Sequence, residues 1–205
     1  HIPCFGGNCS YFLYFITKIY GDYMFAFLTR SLSILALSAS FAAAQYNDTS
    51  AYKLHADSVS GKTIKMDFSK TMTGINDPGM LFEHFSGTPL LIYYFSPKCV
   101  HCQHHFPSYQ TLVKEYEPRG LKGIGIALGG YIKKNDIRLF IDQHKVSIPV
   151  LQDSEMQFGP TYGTGYVPVA FLVLPDGTFY RYEQMKPEAI NHMKAVLDKI
   201  LPKTK

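Results

Sequence analysis

Two cysteines three positions apart, Cys99 and Cys102, lie in the stretch Phe95-Ser96-Pro97-Lys98-Cys99-Val100-His101-Cys102-Gln103-His104-His105-Phe106-Pro107. The apolar run Leu90 to Phe95 precedes them and a helical pattern follows, so both sulfurs are expected at a strand-to-helix junction. At a helix start the first backbone N–H groups lack partners within the helix, and the positive end of the dipole favours an anion. A thiolate placed there is stabilised and reactive, which suits dithiol-disulfide exchange. Two structural thiols or half of a zinc site are the bland alternative, but a closed zinc site needs four ligands and no second cysteine pair follows.

The order of the residues assigns roles. Cys99, at the exposed edge of the helix, is expected to attack, and Cys102, one turn further in, to resolve the mixed disulfide. His101 lies between them, where an imidazolium would stabilise the Cys99 thiolate. Four residues after His101 and three after Cys102, His105 shares their helical face and is the candidate to shuttle the Cys102 proton. Pro97 and Val100 flank Cys99 and are expected at the substrate contact. Tyr93, Tyr94 and Phe95 read as core residues of a buried strand. The same segment also concentrates soft ligands (Cys99, Cys102, His101, His104 and His105), which makes a copper or zinc carrier the alternative function, although one helix points such residues in different directions.

The elements that must position these residues follow from hydrophobic periodicity. Tyr52 to Phe68 alternates around Ser60-Gly61 and reads as a short β-hairpin, and Asn76-Asp77-Pro78-Gly79 as a turn before a helical turn through Met80, Leu81 and Phe85. Beyond the cysteines, Phe106, Tyr109, Leu112, Val113 and Tyr116 recur at helical spacing as far as Pro118-Arg119-Gly120. A strand through Ile124, Ile126 and Leu128, a helix with Asn135 or Asp136 near its cap, and a strand from Val146 to Leu151 come next. Val169 to Leu174 and Thr178 to Tyr182 flank the hairpin signal Pro175-Asp176-Gly177, and a last helix begins near Pro187 with Ile190, Met193, Leu197 and Ile200 on one stripe. This order makes a mixed sheet covered by helices on both faces.

Upstream, Met24 opens a segment with Arg30, an apolar core from Leu32 to Phe41 and Ala42-Ala43-Ala44 before Gln45. It reads as a secretory signal peptide spanning 24–44, with residues 1–23 a translated leader and 45–59 a polar lead-in to a domain at 60–205. Lys18, Asp22 and Arg30 interrupt every span long enough to cross a membrane, which disfavours an uncleaved anchor. Losing those three charges with residues 1–44 takes the formal charge from +4 to +3 and leaves Cys99 and Cys102 as the remaining cysteines. A bridge closing so small a loop adds little stability, so the pair is better explained as a reagent than as a staple. With 46% hydrophobic and 18% charged residues and no basic run, the composition is that of an ordinary globular protein, and a nucleic-acid partner is not expected.

Four features together resemble the thioredoxin superfamily: Cys99-Val100-His101-Cys102 after a buried strand, Pro107 five residues past the second cysteine, Val167-Pro168 entering a strand, and Pro175-Asp176-Gly177 between the last two strands. The resemblance implies an α/β thioredoxin-like fold over residues 60–201. The N-terminal β-hairpin extension and an extra αβ insertion between Cys102 and Pro168 look like the exported TlpA-like branch, while His101 is similar to the pattern in DsbA-type oxidases. It further implies a cis Val167-Pro168 bond beside the cysteines, with the Val167 backbone exposed to pair with an extended peptide. Tyr93 departs from the pattern, standing where thioredoxins commonly bury an acid. The implied protein is an exported, periplasmic, monomeric thiol-disulfide oxidoreductase. Its partners would be protein thiols and disulfides and a membrane electron donor, and no dissociable cofactor is implied because the dithiol carries the two electrons. A thiol peroxidase is the remaining alternative: Ser96 stands three before Cys99 as Ser or Thr does in peroxiredoxins, but their upstream proline is Ile92 here.

Overall fold

In the computed structural model, residues 51–203 are described. The expected leader, signal peptide and cleavage site lie outside the described residues.

The sheet is built outward from Leu90–Phe95 (β2), a run buried along its whole length. Its continuous apolar pattern is what a strand needs when both faces are covered. Lys122–Leu128 (β3) runs parallel to it on one side, and Val150–Asp153 (β4) runs parallel to β3. On the other side Val169–Val173 (β5) is antiparallel to β2 and is followed by antiparallel Phe179–Tyr182 (β6). The two residues Thr73–Gly74 (β1) close the far edge against β4, giving the order β1-β4-β3-β2-β5-β6.

Alternation along β2 divides the core. Leu91, Tyr93 and Phe95 face the cluster formed with Val100–Tyr116 (α1), Lys134–Gln143 (α2) and Pro187–Ile200 (α4), through Phe106, Tyr109, Phe140 and Met193. Leu90, Ile92 and Tyr94 face the other cluster, closed by Phe82 and Phe85 of a short 3-10 turn and by Phe158 and Tyr162 of Phe158–Tyr162 (α3). Gly123 lets α1 lie close on β3, because a Cβ there would meet the Val113 methyls at 2.6 Å. The α2-β4 unit is the expected insertion.

Local differences from the sequence reading have identifiable causes. Tyr52 to Phe68 does fold back, with Ala56 bridged to Thr63 around a turn that needs the positive φ of Gly61. Its arms nevertheless make isolated bridges instead of continuous ladders, because Leu54 pairs with Tyr180 of β6 and Lys65 with Thr178 just before it. The strand expected at Val146 to Leu151 begins at Val150. Before it, Ser147 N–H donates to the Gln110 side chain, Ile148 C=O accepts from Asn76, and Pro149 has no N–H to give. Helix α2 starts at Lys134, with Asp136 accepting from Lys133 N–H at 3.1 Å, so Asp136 caps from inside the first turn.

Candidate active site

All three parallel strands end on the same side of the sheet, and β5 begins there, so the cysteine loop and Val167-Pro168 are neighbours by topology. Cys99 is the N-cap of α1, and its Sγ accepts the Cys102 N–H at 3.2 Å, one of the donors a helix start leaves unpaired. Around it the loop is closely tied: Cys99 N–H donates to Ser96 C=O at 3.1 Å, Lys98 N–H to Ser96 Oγ at 3.3 Å, and Gln103 Nε2 to Pro97 C=O at 2.8 Å. Lys98 also pairs with Asp136 of α2 at 3.1 Å, fixing the loop to the next helix.

The two thiols are free and in different surroundings. Cys99 is half-buried, and its thiol lies 3.7 Å from the Val167 carbonyl, which precedes the cis bond to Pro168. Cys102 is fully buried. Burial, and then its hydrogen bond with Cys99, pushes the Cys102 thiol far above the usual range. Beneath it, the buried Tyr93 hydroxyl donates to the Cys102 carbonyl at 3.0 Å. Desolvation, followed by the charges of Cys102 and Cys99, raises the Tyr93 pKa, so the phenol remains a donor. Tyr93 thus belongs to the site as well as to the core.

Beside Cys99 runs an open groove of about 560 Å³ whose lining includes His101, His105, Tyr166, Val167, Pro168 and Glu183. Val100 is 74% exposed next to Cys99. Pro97, expected at the substrate contact, is instead buried with its carbonyl taken by Gln103, so its ring shapes the loop and offers no surface. His105 lies in the groove wall. The groups hydrogen-bonded to Cys102 are Cys99, the Ser96 backbone and Tyr93, and His105 is not one of them. Burial, then the positive neighbours His104 and His101, lowers the His105 pKa. Glu183 and Tyr166 had no signal in sequence, because only the fold brings the end of β6 and the loop before Pro168 against α1.

Among the described residues no group of three or more His, Cys, Asp or Glu is arranged to hold a metal ion. Cys102 is turned into the core while His101 and His105 line the groove, so the ligand set of a metal carrier is dispersed.

A dithiol at the start of a helix, on a mixed sheet beside a cis-proline loop, defines a thioredoxin-like protein. More narrowly, the chain belongs to the AhpC/TSA family, whose model matches residues 67–181, more than half of its length. Thiol-disulfide oxidoreductase ResA of Oceanobacillus iheyensis is 24% identical over 91 residues, 44% of this chain and 46% of the relative, so the match spans about half of that protein. ResA of Bacillus thuringiensis is 23% identical over 128 residues, 61% of this chain and 73% of the relative. Among solved structures, a thiol-disulfide isomerase of Corynebacterium glutamicum superposes with a TM-score of 0.57 at 16% identity, covering 69% of this chain and 97% of that one, a likeness of fold. No helix among the described residues is long and apolar enough to cross a membrane.

Proposed function

We propose that the protein is an exported thiol-disulfide oxidoreductase that exchanges disulfides with other exported proteins through Cys99 and Cys102. The observation that carries this reading is the asymmetry of the pair: Cys99 reaches solvent while accepting a helix N–H, and Cys102 lies fully buried one turn behind it. In the reducing direction the Cys99 thiolate attacks a substrate disulfide, forming a mixed disulfide and releasing one substrate thiolate. Cys102 then attacks the Cys99 sulfur, closing the Cys99–Cys102 disulfide and releasing the second thiolate. Two electrons pass to the substrate, and the two protons given up by the cysteines end on its thiols. Oxidation of a substrate is the same sequence reversed.

Because burial holds the proton on Cys102, resolution requires a base near the mixed disulfide, and the departing substrate thiolate is available to take it. His105, in the groove wall, assists that transfer through water. Cys99, Cys102, His101 and Pro168 form the reacting centre, and Val167 and Val100 contact the substrate, whose extended backbone pairs beside Val167. The dithiol serves as its own two-electron carrier, the protein works as a monomer, and a membrane electron donor returns it to the reduced state. Support for export comes from the signal-like segment at 24–44.

Trapping tests the reading. The Cys102→Ser variant is expected to accumulate mixed disulfides with periplasmic proteins, reversed by dithiothreitol, and Cys99→Ser to form none. Equal trapping by both variants, or a reduced protein that consumes hydrogen peroxide faster than it reduces insulin disulfides, would overturn it.

A further inference from the structure

The groove beside Cys99 is divided in its charge. One wall is α1, where His101 and His105 stand one turn apart on the same face. The same groove is lined by Val167 and Pro168 and, from another element, by Glu183 and Gln184 just beyond the end of β6. Among the described residues no ion pair joins Glu183 to either histidine. Lys98, the nearest lysine in the sequence, is committed to Asp136. The α1 wall therefore takes its charge from imidazoles alone, and the β6 wall from a carboxylate.

Resting on the thiol-exchange reading above, we infer that this groove selects peptide segments with an acidic residue next to the reacting cysteine, held by His101 and His105, and disfavours acids placed toward Glu183. A peptide reaching Cys99 must pass Val167, whose carbonyl lies 3.7 Å from the Cys99 thiol, so its flanking side chains fall between these walls. Neutral imidazole already offers an N–H to a carboxylate, and imidazolium adds charge. The polar and charged groups that share the groove with His105 are His101 on its own helix, Glu183 and Gln184 beyond the end of β6, and Thr164 and Tyr166 from the loop before Pro168, with the His104 ring 5.2 Å away. Empty, the groove discourages the proton on His105, first through burial and then because His104 and His101 repel it. A bound carboxylate offsets that repulsion and draws the proton on. Selection for acidic peptides therefore strengthens as pH falls through the histidine range.

The experiment compares peptides of equal length with one cysteine, oxidised to their disulfide dimers and carrying Glu, Gln or Lys beside the cysteine, as substrates of the full reduced protein at pH 5.5 and 7.5. The ratio of Glu-peptide to Gln-peptide rates cancels the intrinsic pH dependence of the attacking thiol. That ratio is expected to be about threefold at pH 5.5, smaller at pH 7.5, and near one in the His101→Gln/His105→Gln double variant. In Glu183→Gln the Glu peptide should react faster while the Lys peptide slows. A ratio that ignores pH, or one kept by the double variant, overturns the inference while leaving disulfide exchange standing. Failure of every peptide, Gln included, would instead remove the exchange reading on which it rests.

Discussion

Tyr93 places its hydroxyl under the first turn of α1 and donates to the carbonyl of Cys102 at 3.0 Å, joining the central strand to the residue that must resolve the mixed disulfide. The ring is fully buried, 5.5 Å from Phe106 and 5.1 Å from Tyr109 between centroids, so its position is fixed by packing and the hydroxyl by geometry. Tyr93→Phe keeps the ring and deletes one buried hydrogen bond. A loss of about 1 kcal/mol is expected, read as a lower urea midpoint at unchanged slope. Resolution by Cys102 should slow by several-fold, seen as longer-lived mixed disulfide in single-turnover mixing. Unchanged stability and unchanged resolution would reduce the contact to coincidence.

The two sulfurs should differ sharply toward an alkylating agent. Cys102 is fully buried, and burial raises its pKa far enough to keep it a thiol at neutral pH, while Cys99 is reachable from solvent. Of these two cysteines, native reduced protein with excess iodoacetamide at pH 7 should therefore be alkylated on Cys99 alone by peptide mapping, and on Cys102 only after unfolding. Comparable labelling of Cys102 in the folded protein would contradict the burial that separates attack from resolution.

Much of this arrangement was legible in sequence because it rests on local pattern. The all-apolar β2, the helical spacing after Cys102 and the Pro175-Asp176-Gly177 turn each signal their own conformation, and their order places Cys99 at a helix start. What escaped depends on contacts distant in sequence. Strand β1 has two residues, too few for any periodicity. It is held through Asn76, whose side chain accepts from Val150 N–H and donates to Ile148 C=O, both at 2.8 Å. Read alone, Asn76 is a turn residue. Tyr93 looked like core because it is core, and only the approach of α1 gives its hydroxyl a carbonyl to find. Pro97 sits beside a reactive cysteine in sequence, yet the turn closed by Gln103 buries it.

At the far end of α1, Arg119 ties that helix to the C-terminus. Its guanidinium pairs with Asp198, donates to Pro202 C=O at 2.9 Å and Leu201 C=O at 3.3 Å, and lies 4.9 Å from the Tyr116 ring centroid. Lysine would keep the charge but cannot supply the same fan of donors or the planar contact. Arg119→Lys should cost about 1–2 kcal/mol by urea denaturation and leave the insulin reduction rate unchanged, since the cysteines lie at the opposite end of the helix. A slower rate at full stability would mean that the two ends of α1 are coupled.

Acid should weaken the fold in two stages. His192 is buried on α4, where its Nδ1 and the Tyr182 hydroxyl are 2.7 Å apart and the rings of Tyr52 and Tyr180 each lie 4.9 Å away. Burial, and then Lys199, lowers its pKa from the ordinary 6.5, so the ring that shares a hydrogen bond with the Tyr182 hydroxyl is the neutral one. A histidine whose folded pKa is depressed binds its proton first in the unfolded chain. Its contribution is therefore intact above 6.5 and is lost as pH falls from there toward the folded value. His55 and His105 shift in the same direction and add to this stage. The aspartates at 57, 67, 136, 176 and 198 are instead held below 3.8, chiefly by hydrogen bonds, so their contribution persists until pH drops beneath that value. Lowering pH from 7.5 to 5 should reduce Tm by a few degrees, on the order expected for a small free-energy change in a chain of this size. In His192→Gln, which keeps a hydrogen-bonding group beside Tyr182 but does not titrate, the drop should be smaller. If the variant loses as many degrees as the parent over this interval, the first stage must be assigned to His55 and His105, and the His192 contact carries none of it.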